Sequence, residues 1–336
     1  MVLPKVVSLA ECATPLTAVE LPDPTPHRGE VLIRVHACGV CHTELDEIEG
    51  RTPPPRFPVV PGHEVVGRVI ALGDGVSLHR VGDRVGVGWI HSSSGGDDEN
   101  VSPAFQATGR DVDGGYAELM TVPERYAFPI PHVFGDAEAA PLLCAGAIGF
   151  RALRLTKLPE AGALGLTGFG GSAHLVLQLV RFRLPRARVY VFARDESVRR
   201  FALDLGATWA GDAASVPPEP LDAVIDTTPA WRPVVRALGC LKPGGRLVIN
   251  AIRKEDTDKD ALLELSYHDH LWLEREIKTV ANITGRDIRE LLELAAAVPL
   301  RPEITTYRLD EANEALLALK RGRVKGAKVL LLGTDL

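Results

Sequence analysis

The sequence predicts a mixed α/β protein with two domains, a β-rich domain and one built on a doubly wound parallel sheet. The chain has 336 residues, which leaves room for two domains at about 150 residues each. Short strands separated by Gly and Pro occupy the chain up to about residue 135, and helices alternate with strands from about residue 137. The first pattern is typical of a partly closed all-β unit, and the second of a parallel sheet with helical crossovers.

Composition excludes several classes of protein. Hydrophobic residues make up 46% and charged residues 24% of the chain, which is close to the globular average and unlike disordered or coiled-coil sequences. The net charge is −6, without a long run of either sign, so we expect neither a nucleic-acid partner nor an anionic membrane surface.

Targeting and cysteine patterns indicate a cytoplasmic protein. Pro4, Lys5 and Glu11 interrupt the apolar N-terminal stretch, so it lacks the hydrophobic segment of a signal peptide. No stretch approaches the roughly 18 apolar residues of a membrane span. The five cysteines are scattered along the chain, which predicts free thiols or metal ligands in a reducing compartment.

The β-rich part is predicted from short apolar segments bounded by turn residues. VLIRV at 31–35, HEVVGRVIALG at 63–73 and DRVGVGW at 83–89 predict strands. The polar stretch SSSGGDDEN at 92–100 predicts a surface loop, because it has little apolar surface to bury.

The second part is predicted from repeated strand and helix segments. Strands are expected at 163–167, 189–192, 223–226 and 246–250, and helices at 137–154, 174–182, 196–205 and around 231–239. Two amphipathic helices, at 288–298 and 311–322, and a strand at 328–332 follow. Periodicity does not decide whether this tail extends the parallel sheet or packs on the first domain.

A glycine-rich turn predicts a dinucleotide site. The strand at 163–167 is followed by a G-x-G-x-x-A motif, formed by Gly168, Phe169, Gly170, Gly171, Ser172 and Ala173. Such glycines permit a tight turn and let the backbone approach a pyrophosphate at a helix N-terminus. The alternative is a glycine turn that serves only close packing of the helix on the strand.

The end of the next strand bears on the choice of dinucleotide. An NAD site usually places an acidic residue there for the ribose hydroxyls, and this chain has Ala193, Arg194 and Asp195. Because Arg194 could bind a 2′-phosphate, NADP is slightly favoured, while Asp195 keeps NAD open. Arg194 could also be an ordinary solvated residue.

Cysteine and histidine residues at three distant points suggest a metal site. Cys38 and Cys41 form a CxxC pair, but no second pair at matching spacing would complete a structural zinc site. His63 and Cys144 are the other candidates, and two thiolates with one imidazole leave a fourth position open, as catalytic zinc sites do. Taken singly, Cys144 could be a buried core thiol and His63 a strand-end residue.

Taken together, these motifs resemble a known family. CHTELDEIEGR at 41–51, PGHEVVGRV at 61–69, VGDRVG at 81–86, DGGYAE at 113–118 and LLCAG at 142–146, followed by the glycine turn, occur in the order found in zinc-dependent alcohol dehydrogenases of the medium-chain dehydrogenase/reductase superfamily. The likeness extends over nearly the whole chain.

The resemblance implies the domain organisation. Residues 1–145 and 284–336 would form a GroES-like catalytic domain, and residues 146–283 a Rossmann domain that binds NAD(P). The tail would then return to the first domain.

The resemblance also implies roles for individual residues. Cys41, His63 and Cys144 would hold the zinc ion, with Glu64 as a nearby carboxylate or transient ligand. Thr43 would take the proton of the substrate hydroxyl, and His42 would lie near the cofactor pyrophosphate. Trp89 would line the substrate pocket, and Asn282 would contact the nicotinamide side of the cofactor.

The chain departs from the family at two places. Many relatives hold a structural zinc with four cysteines between Trp89 and the DGGYAE motif, whereas this segment contains none, and Ser94 and Ser102 stand near the first and last positions. Because serine hydroxyls are poor zinc ligands, we predict one zinc ion per chain. Asp46 stands where several relatives have a histidine that relays the proton, so it is a candidate relay or a simple helix-end acid.

The function predicted from these residues is reversible hydride transfer between a primary or aromatic alcohol and NAD(P). Zinc would lower the pKa of the alcohol hydroxyl. A zinc-free quinone or enone reductase of the same superfamily and a catalytically silent cofactor-binding protein are the alternatives. The resemblance implies a homo-oligomer, either a dimer or a tetramer, with a small alcohol or aldehyde as its substrate.

Overall fold

The computed structural model describes residues 1–298, 300–322 and 326–333. Two compact units can be distinguished in the chain. The first contains Met1–Ala147 and Asn282–Leu336, and the second contains Ile148–Ala281. Residues 299, 323–325 and 334–336, which belong to the tail expected in the first domain, lie outside the described residues.

The first unit is dominated by β-strands, as the spacing of Gly and Pro predicted. Its N-terminal segment contributes seven strands and two short helices. In chain order these are β1 (Glu30–Val40), α1 (His42–Ile48), β2 (Val65–Leu72), β3 (Arg84–Val87), β4 (Ile90–Ser92), β5 (Gln106–Ala107), β6 (Leu119–Pro123), β7 (Phe128–Pro129) and α2 (Asp136–Ala139).

The remaining elements begin with a helix that crosses the boundary between the units. They are α3 (Ala145–Thr156), β8 (Ala163–Thr167), α4 (Gly171–Arg183), β9 (Arg188–Phe192), α5 (Glu196–Asp204), β10 (Trp209–Gly211), β11 (Leu221–Asp226), α6 (Arg232–Gly239), β12 (Leu241–Ile249), β13 (Glu276–Thr279), α7 (Gly285–Ala297), β14 (Ile304–Arg308), α8 (Ala312–Lys320) and β15 (Ala327–Leu331).

Strand β1 is the centre of the first unit's sheet. It pairs antiparallel with β2 along most of its length, with β6 near its beginning and with β15 near its end, in a sheet ordered β14-β15-β1-β2-β3-β7. At its C-terminal end, a Cβ atom on Gly39 would lie 1.7 Å from Oε2 of Glu64. Only glycine therefore allows β1 to approach the Glu64 side chain at this point.

The second unit contains a six-stranded sheet in the order β10-β9-β8-β11-β12-β13, and every pair in it is parallel. All five residues of β8 are buried, as expected for a central strand covered on both faces. This is the doubly wound sheet that the alternation of helices and strands predicted. The mixed α/β fold class is confirmed.

The tail belongs to the first unit. Strand β15 pairs antiparallel with β1, and β14 pairs parallel with β15. The amphipathic pattern could not decide this placement, because it shows that a helix buries one face but not which partner covers it.

The expected helix at 137–154 is interrupted. Helix α2 is followed by a 3₁₀ turn at Ala140–Leu143, and Cys144 then has φ −131° and ψ −72°, outside the helical region, before α3 begins. Pro141 lies in this turn, and its ring cannot continue a regular α-helix. Because of this interruption, Cys144 lies between two helical segments and belongs to neither of them.

Several strands could not be predicted from the sequence. Strands β5, β7 and β10 have two or three residues each, and all four residues of β13 are exposed, so none has a clear alternation of buried and exposed side chains.

In the described part of the chain, no single helix has the length and apolar composition of a membrane span. Two helical segments, Asp136–Leu143 and Ala145–Thr156, reach that length and composition only when they are counted together, and the chain bends between them.

Replacing Leu166 by alanine should destabilise the second unit. Leu166 is fully buried in β8, so the variant should lose about 2 to 5 kcal/mol of unfolding free energy through lost burial and the cavity left behind. Leu263→Ala is the matched control, because this leucine is 90% exposed. Urea unfolding measures both variants, and equal stability of the two would contradict the assigned core.

Candidate functional site

Cys41, His63, Glu64 and Cys144 come together in the first unit. Cys41 follows β1 and is the N-cap of α1, His63 and Glu64 precede β2, and Cys144 lies in the interruption before α3. Their potential ligand atoms all lie within 4.8 Å of one another. Among the described residues, this is the one group of three or more potential ligands with such geometry.

Glu44 orients two members of this cluster. Its Oε2 accepts a hydrogen bond of 2.8 Å from the backbone N–H of Cys41, and its Oε1 lies 2.5 Å from Nδ1 of His63. The side chains of His63 and Glu44 are both fully buried. Nε2 of His63 is buried without a hydrogen-bond partner among the described residues, which is costly unless a ligand satisfies it.

The environment favours an ionised thiol at Cys41. The Cys144 thiol donates a hydrogen bond to the Cys41 sulfur, which lowers the pKa of Cys41 well below its usual value, and nearby His63 acts in the same direction. Burial, the largest single influence, would lower the pKa of His63, but the Glu44 carboxylate and the Cys41 sulfur together raise that pKa well above its usual value. Burial raises the pKa of Glu64. The cluster therefore combines groups that readily exchange protons for a cation.

Two predicted residues lie close to the cluster on α1. Thr43 is buried, and its Oγ1 lies 3.7 Å from the Cys41 sulfur. Its neighbour His42 is exposed on the first turn of the helix. The position of Thr43 is compatible with a hydroxyl that contacts a ligand at the cluster.

Asp46 is held by an arginine. Its side chain is fully buried and accepts a hydrogen bond of 2.6 Å from Nε of Arg51. The Arg51 guanidinium thus supplies a charge-assisted hydrogen bond to this buried side chain. Proton relay through Asp46 stays a prediction.

An aromatic pair stands beside His63. The rings of Trp89 and His63 are 6.1 Å apart, and Phe105 packs against Trp89 edge to face at 5.7 Å. Trp89 is therefore adjacent to the cluster, and its role in a substrate pocket stays a prediction. Phe105 was missed, because a single aromatic residue in a polar loop carries no periodic signal.

The segment 91–109, here called the serine loop, is anchored by a buried carboxylate. Oε2 of Glu99 accepts a hydrogen bond of 2.9 Å from the Tyr126 hydroxyl, and Oε1 accepts one of 2.6 Å from the backbone N–H of Gly285 at the start of α7. The Ser93 hydroxyl donates to the Glu99 carbonyl at 2.7 Å. Carboxylates are favoured at helix N-termini, so Glu99 ties the loop to α7.

Asn282 takes part in the same connection. Its side-chain nitrogen donates a hydrogen bond of 2.7 Å to the carbonyl of Asn100, and its backbone has φ of +53°, which asparagine tolerates better than most residues. The predicted contact of Asn282 with the nicotinamide is untested.

The glycine-rich turn of the second unit has the geometry of a nucleotide site. Gly168 has φ of +78°, and a Cβ there would lie 2.6 Å from Oγ1 of Thr227, so other residues are excluded. A Cβ on Gly170 would meet no atom within 4 Å. Gly170 precedes α4, so an anion could approach the helix N-terminus across it.

A small, partly open cavity of about 30 Å³ adjoins this turn. Most of its wall is apolar. Its lining includes Gly168, Phe192, Val224, Thr228 and Arg236.

The loop after β9 leaves one arginine exposed. Asp195 caps α5 by accepting a 2.7 Å hydrogen bond from the N–H of Ser197, and Arg199 donates to the carbonyls of Ala193 and Arg194, both at 2.8 Å. The Arg194 side chain is exposed to solvent. Its position at the end of β9 is the one that the sequence analysis considered for a 2′-phosphate.

Comparison with known proteins places the chain in a family. Residues 27–132 match the alcohol dehydrogenase GroES-like domain, and residues 201–331 match the zinc-binding dehydrogenase domain. A probable alcohol dehydrogenase, AdhA, of Mycobacterium tuberculosis is 43% identical over 329 residues, covering 95% of this chain and 93% of that protein. The chain belongs to the alcohol dehydrogenase family of zinc-binding dehydrogenases.

Other proteins agree with this assignment. An alcohol dehydrogenase of Geobacillus stearothermophilus is 32% identical over 94% of this chain and 95% of its own length. The crystal structure of CAD from Helicobacter pylori has the same fold, with a TM-score of 0.79 and 24% identity over 91% of each chain. The chain is thus an oxidoreductase of the zinc-binding dehydrogenases, and the predicted family and alcohol dehydrogenase activity are confirmed.

Glu44, which contacts Cys41 and His63, and Glu99, which holds the serine loop, were not predicted from the sequence. Glu44 stands three residues after Cys41, the spacing of a helix capping box, so a local signal existed. Glu99 gave no such signal, because its partners Tyr126 and Gly285 are distant in the sequence.

Replacing Glu99 by alanine should destabilise the alcohol dehydrogenase. The variant loses a buried acceptor and leaves the Tyr126 hydroxyl and Gly285 N–H unpaired, so unfolding free energy should fall by about 3 kcal/mol. Asp98→Ala is the matched control, since Asp98 is an exposed neighbour and should change stability by less than about 0.5 kcal/mol. Equal values in chemical denaturation would show that Glu99 does not anchor the loop.

Proposed function

We propose that this alcohol dehydrogenase holds one catalytic zinc ion through Cys41, His63 and Cys144. The observation that carries the proposal is the convergence of two thiols and one imidazole, with ligand atoms within 4.8 Å of one another, around an unpartnered Nε2 of His63. Thiolate and imidazole are the donors that zinc prefers, and three protein ligands leave a position for substrate. Glu64 is an adjacent carboxylate that could act as a transient ligand.

The other roles in the reaction are assigned to individual residues around the cluster. When bound, zinc supplies Lewis-acid chemistry, and the nicotinamide ring accepts or donates the hydride. Glu44 fixes the His63 ring through Nδ1 and so directs Nε2 towards the cluster. The Thr43 hydroxyl would hydrogen-bond the substrate hydroxyl and, as it takes the substrate proton, pass its own proton outward to solvent. Trp89 and Phe105 form an apolar wall that orients a primary or aromatic alcohol and excludes water.

The second unit binds the dinucleotide. The turn from Gly168 to Ala173 receives the pyrophosphate of the dinucleotide at the N-terminus of α4. We infer that NADP is preferred, because Arg194 at the end of β9 offers a charge for the 2′-phosphate, while Asp195 is engaged as a helix cap. The Helicobacter pylori CAD structure contains NADP(H).

We further propose that the serine loop binds no structural zinc. Its hydroxyls are poor zinc ligands, and the Glu99 contacts supply an anchor of another kind. The protein would act in the cytoplasm as a dimer or tetramer, in line with its family resemblance.

Metal analysis tests the zinc proposal. We expect one zinc ion per chain, with activity lost on chelation and restored by added zinc. Cys144→Ala should weaken zinc binding by at least about a hundredfold, since a direct ligand contributes more than the groups around it. Cys12→Ala is the matched control, because Cys12 lies outside the cluster and should keep its zinc.

Other zinc contents would contradict the proposal or favour one of the alternative functions. Two zinc ions per chain would contradict the proposed lack of a structural site. A metal-free chain that reduces quinones or enones would favour the zinc-free reductase, and one that binds cofactor without turnover would favour a silent binding protein.

Replacing Arg194 by alanine should weaken NADP binding selectively. We expect the dissociation constant for NADPH to rise about tenfold and that for NADH to change less than about twofold, because only NADPH carries the 2′-phosphate. Arg200→Ala is the control, since Arg200 is exposed on α5 and pairs with Glu196. Equal losses for both dinucleotides in fluorescence titrations would remove Arg194 from the phosphate site.

A further inference from the structure

A buried ion pair lies beneath the glycine turn of the second unit. Asp226 is the last residue of β11, and Lys254 lies in the segment after β12. Nζ of Lys254 contacts Oδ2 of Asp226, and their side chains are 10% and 0% exposed. A charge buried this deeply is tolerated only when it is paired and hydrogen-bonded.

The Lys254 ammonium has three acceptors. Besides the Asp226 carboxylate, it donates to the carbonyl of Thr228 at 2.7 Å and to that of Ala230 at 2.9 Å. An ammonium group has three donors, so its capacity is used completely. Three bonds to the short segment 226–230 fix the path of its backbone.

The Asp226 carboxylate connects this ion pair to the cavity beside the glycine turn. Its Oδ1 accepts hydrogen bonds from the Thr167 hydroxyl at 2.5 Å and the Thr228 hydroxyl at 2.8 Å. Thr167 and Thr228 both line the cavity, as does Gly168, which follows Thr167 directly. The polar part of the cavity wall beside the turn thus depends on the position of Asp226.

We propose that Lys254 is a positioning residue for the nicotinamide dinucleotide. Through Asp226 and the Thr228 carbonyl, it holds the wall formed by Thr167, Gly168 and Thr228 in the shape that binds the cofactor. The inference rests on the proposed binding of the dinucleotide at the glycine-rich turn. The competing interpretation is an ion pair that contributes only to stability, as buried pairs of lysine and aspartate can.

Replacing Lys254 by methionine tests the proposal. The variant keeps the length of the side chain and loses the ammonium group. We expect the dissociation constant for NADPH and the KM for NADP to rise about tenfold, with kcat at saturating cofactor within about twofold of the wild type, since binding and not the chemical step is affected.

The chain offers a matched control in Lys242→Met. Lys242 pairs with Asp222 at 2.8 Å, near the beginning of the same two strands, β12 and β11. This variant also loses a lysine and aspartate pair in the second unit, but away from the glycine turn. Its NADPH dissociation constant should match that of the wild type.

A double variant, Asp226→Asn with Lys254→Met, separates stability from positioning. No unpaired carboxylate remains in the double variant, so its Tm should be higher than that of Lys254→Met. If Lys254→Met does not fold, NADPH binding is compared between the double variant and the wild type. NADPH binding should stay about tenfold weaker, because the carbonyls of Thr228 and Ala230 still lack their donor.

Three results would overturn the inference. The first is that Lys254→Met lowers Tm without weakening NADPH binding, and the second is that the double variant binds NADPH as tightly as the wild type. With either of these results, the proposed function is unaffected, because the wild-type protein still binds NADPH. A wild-type chain that binds neither NADPH nor NADH would overturn the proposed function and the role of Lys254 together.

Discussion

The pairing of β1 is the constraint on which the arrangement of the first unit depends. This strand pairs with three others, so its C-terminal end is fixed before any ligand is considered. Cys41 follows directly, and Gly39 leaves room for the Glu64 side chain. Three sequence-distant segments can therefore bring thiol, imidazole and carboxylate groups together without a flexible loop. Ligands held on a rigid scaffold need little rearrangement to accept an ion.

Buried charged groups are compensated differently in the two units. Around His63, the Glu44 carboxylate compensates for the loss of water, and a proton can leave when a cation arrives. Around Asp226, the Lys254 ammonium balances the charge within the chain itself. The first arrangement leaves Nε2 of His63 available for an external partner, and the second uses its donors internally. The cost of burying charged groups is thus compensated in different ways: the first unit keeps an atom available for a ligand, and the second unit pairs its charges internally.

The sequence predicted what depends on local pattern and on motifs. The fold class, the family and the central strands followed from apolar spacing and from six motifs in a fixed order. The interruption at Cys144 was missed because the apolar residues on both sides of Pro141 fit helical spacing, although the proline itself signals a break. Glu99 and Lys254 were missed for another reason, since their roles depend on partners such as Tyr126 and Thr228 that only the folded chain brings near.

The Glu99 anchor has a consequence for how the protein matures. A loop closed by four cysteines needs a delivered ion and stays open to thiol oxidation until that ion arrives. Here, the Tyr126 hydroxyl and the Gly285 N–H supply the closure, and both are present as soon as the polypeptide is synthesised. If the serine loop binds no zinc, as proposed, its order depends neither on zinc supply nor on the redox state of the cell.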